Sequence, residues 1–374
     1  MKLESIRPSI LSIPFVQAFK HASAERSSTQ ALWVEARAEG GLVGFGEGCP
    51  REYVSGEDLA TAQDFVAAHG NDWLTRIRDV DSLRAWVDNH AAEIDANPAA
   101  WTAVELALLD LLGLEQGCAI EKLLGLEALS GVFRYTAVLG DASPQAFEAQ
   151  VKRYQQAGFG SFKIKLSGDH ERDLAKVHAL SAAGIRANVV RADANNLWSD
   201  VRVATDYLCA LNYRFMALEE PLHVGDRDGM ERLAQALKTR IILDESLLRE
   251  SQLVDFASQP ECWIVNLRLS KMGGVLRSLR LAQSVRTAGL GLIIGAHVGE
   301  TSVLTRAALA VAQGARDILI AQEGAFGTYL LSHDVVEPPL MFGAGGVLDI
   351  DATGLANRPG LGLHFQGVKP PVLP

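Results

Sequence analysis

Hydrophobic and polar positions along the chain fall into two textures. The first stretch alternates, with Leu32, Val34 and Ala36 on one face, which predicts strands joined by Gly-rich turns at Gly40-Gly41 and at Gly44-Phe45-Gly46-Glu47. Apolar residues then recur every three to four positions over 56–70, 80–94 and 99–113, the period of amphipathic helices, and Asn97-Pro98 supplies a start signal for the last. A small α+β domain is predicted over residues 1–127. From Arg134 the texture becomes short β-type runs separated by helical segments. Eight runs are counted: RYTAVL from Arg134, FKIKL from Phe162, NVVRAD from Asn188, FMALEE from Phe215, IILDE from Ile241, WIVNL from Trp263, LGLIIGA from Leu290 and DILIAQE from Asp317. Their spacing lies close to the roughly 30 residues per unit of a closed barrel, so an α/β fold with a (β/α)8-type barrel is predicted over 128–334. The tail, with Pro338-Pro339 and a short strand VLDID from Val347, breaks the rhythm, and 335–374 is expected to return to the first domain.

Composition narrows the partners. The chain has 374 residues, 48% hydrophobic and 21% charged, ordinary for a globular enzyme. A formal charge of −10 without basic runs excludes a nucleic-acid surface and leaves small molecules. No window approaches 18 uninterrupted apolar residues and the amino terminus lacks a leader pattern, so a cytoplasmic protein without a membrane span is expected. Cys49, Cys118, Cys209 and Cys262 form no CxxC pair and are expected to be free, buried thiols.

In a barrel of parallel strands the site is built at the carboxyl ends, which gives weight to polar residues that close an apolar run. Asp193, Glu219 and Asp244 close three consecutive runs, 26 and 25 residues apart. Neighbouring strands lie about 4.8 Å apart, so three carboxylates at one level need a cation or protons. One such acid alone would more often cap the next helix; three in series favour a hard divalent ion, Mg²⁺ with Mn²⁺ as the alternative, over zinc. Glu220 and Glu245 each follow one of these acids and, by alternation, are expected to turn away.

Lys163 and Lys165 are two apart on the second run, so both face one side, and buried lysine is costly unless paired. Lys165, nearer the strand end, is the better candidate base. Asn195 is balanced between a hydrogen bond to substrate and a plain turn residue.

These residues resemble the enolase superfamily, in particular its muconate lactonizing enzyme subgroup. The resemblance rests on Lys163-Ile164-Lys165, Asp193-Ala194-Asn195, Leu218-Glu219-Glu220-Pro221, Leu243-Asp244-Glu245-Ser246 and Lys271-Met272-Gly273-Gly274. Gly44-Phe45-Gly46-Glu47, Tyr53-Val54-Ser55-Gly56-Glu57 and Pro359-Gly360-Leu361-Gly362 look like the family's capping domain and tail. The resemblance implies a substrate carboxylate on Mg²⁺, an α-proton moved by Lys165, and an enediolate steadied by the metal and Lys163. It also implies a homo-oligomer, and it places substrate contacts on capping loops around 15–29 and 50–54, with Arg51 and Tyr53 as candidates beside Phe15, Phe19 and Arg26.

The sixth run departs from the subgroup, with Asn266-Leu267-Arg268 where a second lysine is usual. Arginine stays protonated, which counts against a two-lysine racemase and leaves Arg268 an electrostatic role. Glu323 resembles a cycloisomerase glutamate and is expected to pair with Arg268. The absence of Asp-x-Asp at Ala321-Gln322-Glu323 argues against dipeptide substrates. His297 stands where the mandelate racemase subgroup has a catalytic histidine. The expected activity is therefore a muconate-cycloisomerase-like isomerase, with a dehydratase using His297 on a leaving hydroxyl, or a racemase or epimerase, as alternatives.

Overall fold

The computed structural model describes residues 1–21 and 24–366, with the side chains of residues 17–25 left out; Phe19 therefore lies outside the described side chains. Strands β1 (Leu3–Leu11), β4 (Ala31–Ala38) and β5 (Val43–Gly48) form an antiparallel sheet in the order β1-β4-β5, and β2 (Pro14–His21) and β3 (Ala24–Ser28) form a separate hairpin. Gly40-Gly41 forms the predicted turn, but Gly44-Phe45-Gly46-Glu47 is instead part of strand β5. Gly44, Gly46 and Gly48 alternate along it, and a Cβ on any of them would collide with the carbonyls of Ala107, Ala103 and Ala99. The pattern thus encodes the close approach of a strand to the helix Pro98–Gln116, whose inner residues are almost all buried. The predicted helix over 80–94 is two, Val80–Asn89 and Ala91–Ala96, joined at His90.

After a short strand β6 (Val132–Arg134), eight parallel strands follow: β7 (Ala137–Leu139), β8 (Phe162–Lys165), β9 (Val190–Asp193), β10 (Ala217–Glu219), β11 (Arg240–Leu243), β12 (Trp263–Leu267), β13 (Gly291–Ile294) and β14 (Leu319–Gln322). They pair in chain order, with helices between them, as the (β/α)8 reading expects. Closure between β7 and β14 is thin. It consists of an isolated bridge, Tyr135 to Gln322, with the Thr136 N–H donating to the Gln322 carbonyl.

The tail contributes β15 (Val347–Asp349), antiparallel to β6. It then reaches the first domain: the Leu361 N–H donates to Asp110, and Phe365 packs on Trp33 and Phe45. Buried carboxylates pin the cap to the barrel. Glu47 accepts from the Thr301 N–H and hydroxyl at the start of the helix Ser302–Gly314, and Glu105 accepts from the Val275 and Leu276 N–H groups. All four cysteines are free, but only Cys49 and Cys262 are buried; Cys209 is exposed. No helix among the described residues is long and apolar enough to cross a membrane.

Candidate active site

Alternation along the strands decides which side chains enter the barrel. The deep interior is an apolar plug of Ala217, Ile242, Ile264 and Ile293. Towards the carboxyl ends the inward positions turn polar or charged: Lys163 and Lys165 on β8, Arg191 and Asp193 on β9, Glu219 on β10, Asp244 just past β11, Asn266 on β12 and Arg268 just past it. Lys165 is in register with Asp193, and Asp193 with Glu219.

The three acids are each 1% exposed and each is held by a basic neighbour. Lys165 Nζ donates to Asp193 Oδ2 at 2.5 Å and to Asn195 Oδ1 at 2.8 Å. Lys163 Nζ donates to Glu219 Oε2 and Glu323 Oε2, both at 2.8 Å, and lies 3.6 Å from Asp193. Lys271 Nζ donates to Asp244 Oδ1 at 2.9 Å and to the Asn266 carbonyl at 2.7 Å, while the Arg268 guanidinium pairs with Asp244 and stands 3.6 Å from Glu219. The expected Arg268–Glu323 pair does not form. Glu323 is taken by Lys163 and, at 3.1 Å, by Arg191. Asn195 sits in the left-handed region at φ +45°, which asparagine tolerates better than most residues, and this aims its amide oxygen at Lys165.

Electrostatics separate these groups. Burial alone would lower the Lys163 proton affinity, but Glu219, Glu323 and Asp193 raise it well beyond the usual lysine range, so Lys163 is a fixed cation. Arg268 is likewise held charged: burial opposes its charge, and Asp244 and Glu219 more than offset that. Asp244 is kept well below the ordinary carboxylate range, because Arg268 and Lys271 outweigh its burial. Glu219 is pushed up to about 7 by burial and by the Asp193 carboxylate. His297 is 4% exposed, and among the described residues neither ring nitrogen is hydrogen-bonded; burial, then Arg268 and Arg51, drive it well below its usual pKa and leave it neutral.

Above these residues opens a cavity of about 780 Å³. Lys163, Lys165, Asn195, Arg268, His297 and Glu323 line it, as does Tyr53 from the cap. Glu245 lines it too, against expectation, and is raised to about 8 by burial and by Asp244. Glu220 does turn away, accepting from the Ser246 hydroxyl and from the Asp244 and Ser246 N–H groups. Arg51, expected among the substrate contacts, does not line this cavity. It is 1% exposed, and its guanidinium donates to the carbonyls of Thr29, Gln30, Pro50 and Val298, fastening the cap to the loop after β13.

Sequence reasoning missed Arg191 and Asn266, which stand two residues before Asp193 and Arg268 and share their inward face. The same two-residue spacing that singled out Lys163 would have found them. Glu300, raised to about 8 chiefly by burial, also lines the cavity and accepts from the His297 N–H at 2.7 Å.

The acids supply an all-oxygen donor set suited to a hard dication. The raised Glu219 marks a surplus of buried negative charge that a dication would relieve. Among the described residues no three acidic, histidine or cysteine side chains converge as a ready metal cluster, because lysines and Arg268 hold the carboxylate oxygens. The donor chemistry fits a divalent metal, and loading it means exchanging those contacts.

Residues 146–367 match the family model described as enolase C-terminal domain-like. The chain belongs to the enolase superfamily. It is 30% identical over 370 residues to the L-Lys-D/L-Arg epimerase of Methylococcus capsulatus, covering 98% of this chain and 99% of that protein. The structure of a dipeptide epimerase from the same organism, complexed with Mg and the dipeptide L-Arg-D-Lys, superposes with a TM-score of 0.83 at 28% identity, over 98% of this chain and all of that one. Muconate lactonizing enzyme from Pseudomonas fluorescens, complexed with muconolactone, gives a TM-score of 0.84 at 24% identity, over 97% and 96% of the two chains, and shows the shared superfamily fold. Missing Asp-x-Asp on β14 predicted distance from dipeptide epimerases; the similarity runs towards them, which favours epimerase chemistry over the muconate type within the superfamily.

Proposed function

We propose that this enzyme is a metal-dependent epimerase or racemase that inverts the α-carbon of an amino-acid-derived carboxylate. Asp193, Glu219 and Asp244 would hold Mg²⁺, or Mn²⁺ in its place, in line with the Mg-bound relatives. When bound, the ion supplies positive charge against the doubly anionic enediolate. Lys163, a cation that its three carboxylate neighbours keep protonated, adds fixed charge on the same side.

The observation that carries this reading is His297, buried beside the cavity with neither nitrogen hydrogen-bonded among the described residues. Inversion needs proton transfer at two faces, and Arg268 is withdrawn into its pair with Asp244 and cannot deprotonate. Lys165 closes β8 and His297 follows β13, three strands away around the closed barrel by way of β14 and β7, and both line the cavity. In one direction His297, kept neutral by burial, takes the proton and Lys165, hydrogen-bonded to Asp193, returns one; the reverse direction exchanges the roles.

The experiment is ¹H NMR in D₂O with Mg²⁺ and a panel of L- and D-configured dipeptides and N-acyl amino acids. Exchange of the α-proton with appearance of the other configuration is the expected result. A chain that leaves every member of the panel unexchanged, yet lactonises cis,cis-muconate, is a cycloisomerase, the second reading that the single Lys165 and the fixed charge of Arg268 favour.

A further inference from the structure

The thin closure between β7 and β14 is where the cavity continues. Beyond Lys163 and Glu323 its lining passes to Phe326, Tyr329 and Phe342 on one side and to Tyr154 and Phe159 on the other. These come from the segment after β14, from the tail, and from the end of the helix Pro144–Gln156 together with the turn that follows it. Phe342 is the hub. Its ring lies 5.4 Å from Phe159 edge-on, 5.2 Å from Phe326 edge-on and 5.4 Å from Tyr329 nearly parallel. Phe342 is 4% exposed, so it belongs to the wall of the fold, whereas Tyr329 is 62% exposed and leaves much of its ring open.

The charge around this branch argues against a cationic occupant. Asp141, an acid on its rim, is already paired with Arg172 at 2.7 Å and with Lys176 at 2.9 Å. Arg153 lies over the Tyr154 ring, 5.1 Å from its centroid, and presents positive charge. An aromatic wall whose rim acid is neutralised and whose rim also carries a guanidinium suits a flat, uncharged apolar group.

We propose that this aromatic branch is a specificity pocket, and that the enzyme's substrate carries, besides its carboxylate, an arm ending in an aromatic ring that stacks among Phe326, Tyr329 and Phe342. The inference rests on the proposed chemistry only in that the carboxylate end is placed beside Lys165. It also moves selectivity away from the capping loops, since these residues belong to the barrel and tail.

The test is titration calorimetry of the full chain with Mg²⁺, using 4-phenylbutyrate and butyrate, two carboxylates that differ by the ring. The expected result is binding of 4-phenylbutyrate at least about tenfold tighter, a ratio that Tyr329→Ala combined with Phe326→Ala brings close to one while butyrate binding is unchanged. Tyr329 is exposed and Phe326 half-buried, so the double variant is expected to fold, and Tyr329→Ala alone should lower the ratio in the same direction. Equal binding of the two probes, or a ratio untouched by the double variant, overturns the proposal. Ring-dependent binding in a protein that exchanges no α-proton would leave this pocket standing and defeat the epimerase reading instead.

Discussion

The two sides of the barrel mouth are built on opposite principles. On the β8 side, Lys165 lies at the cavity surface, tied by two short bonds to Asp193 and Asn195. On the β12–β13 side, the permanent cation is drawn down into the carboxylates, and neither nitrogen of the neighbouring imidazole is hydrogen-bonded among the described residues. One side offers a group positioned by hydrogen bonds; the other offers a group kept neutral by burial and by two guanidiniums. A site with a lysine on both sides would be symmetric in charge. This one divides the work between a lysine held by two hydrogen bonds and an imidazole kept neutral by burial, so the two faces of the substrate meet different groups.

The largest expected effect comes from breaking the β8 side. Lys165→Ala should reduce inversion and α-proton exchange of the configuration that Lys165 faces by at least about 10³-fold, read by ¹H NMR in D₂O, while His297 still exchanges the other; equal exchange of both configurations in this variant would remove Lys165 from proton transfer. Next comes the other side. His297→Asn should slow inversion by about 10²-fold while Lys165 still exchanges the α-proton of the configuration it faces. Equal loss of exchange from both configurations would place His297 in binding rather than in proton transfer.

The smallest effect concerns stability behind His297. Glu300 and Glu47 rise to about 8 and about 7, chiefly through burial. Their folded-state values exceed those of the unfolded chain, so the native protein holds more protons between about pH 4.5 and 8 and loses stability as pH rises through that window. Metal-free melting temperature should therefore decline by a few degrees from pH 5 to pH 8, and Glu47→Gln should flatten the slope. A melting temperature constant across this range would mean that both carboxylates are ionised throughout.

What could be read beforehand was whatever repeats along one strand. Strand-end acids and the Lys-x-Lys pair follow from periodicity and position, because alternation and parallel register convert spacing directly into shared space. Gly44-Phe45-Gly46-Glu47-Gly48 was misleading for a physical reason: glycines at every second position look like a turn until the helix that demands them is known. Arg51 has the chemistry of a substrate clamp, and only the fold shows both terminal nitrogens of its guanidinium donating to backbone carbonyls. The partner of Glu323 was invisible because Lys163 and Arg191 reach it from across the seam, while Arg268 is drawn to Asp244. The aromatic branch joins Tyr154 and Phe159 to residues more than 160 positions later, and no local pattern announces it.

The single rung between Tyr135 and Gln322 also has a mechanical meaning. Each other neighbouring pair of barrel strands is registered over three or four residues. The ring of strands is in effect a horseshoe with a clasp, and any swelling of the wall concentrates at the clasp. Amides of β7 should lose hydrogen-exchange protection before those of β10 or β11, making this notch the place where the circle of strands yields first.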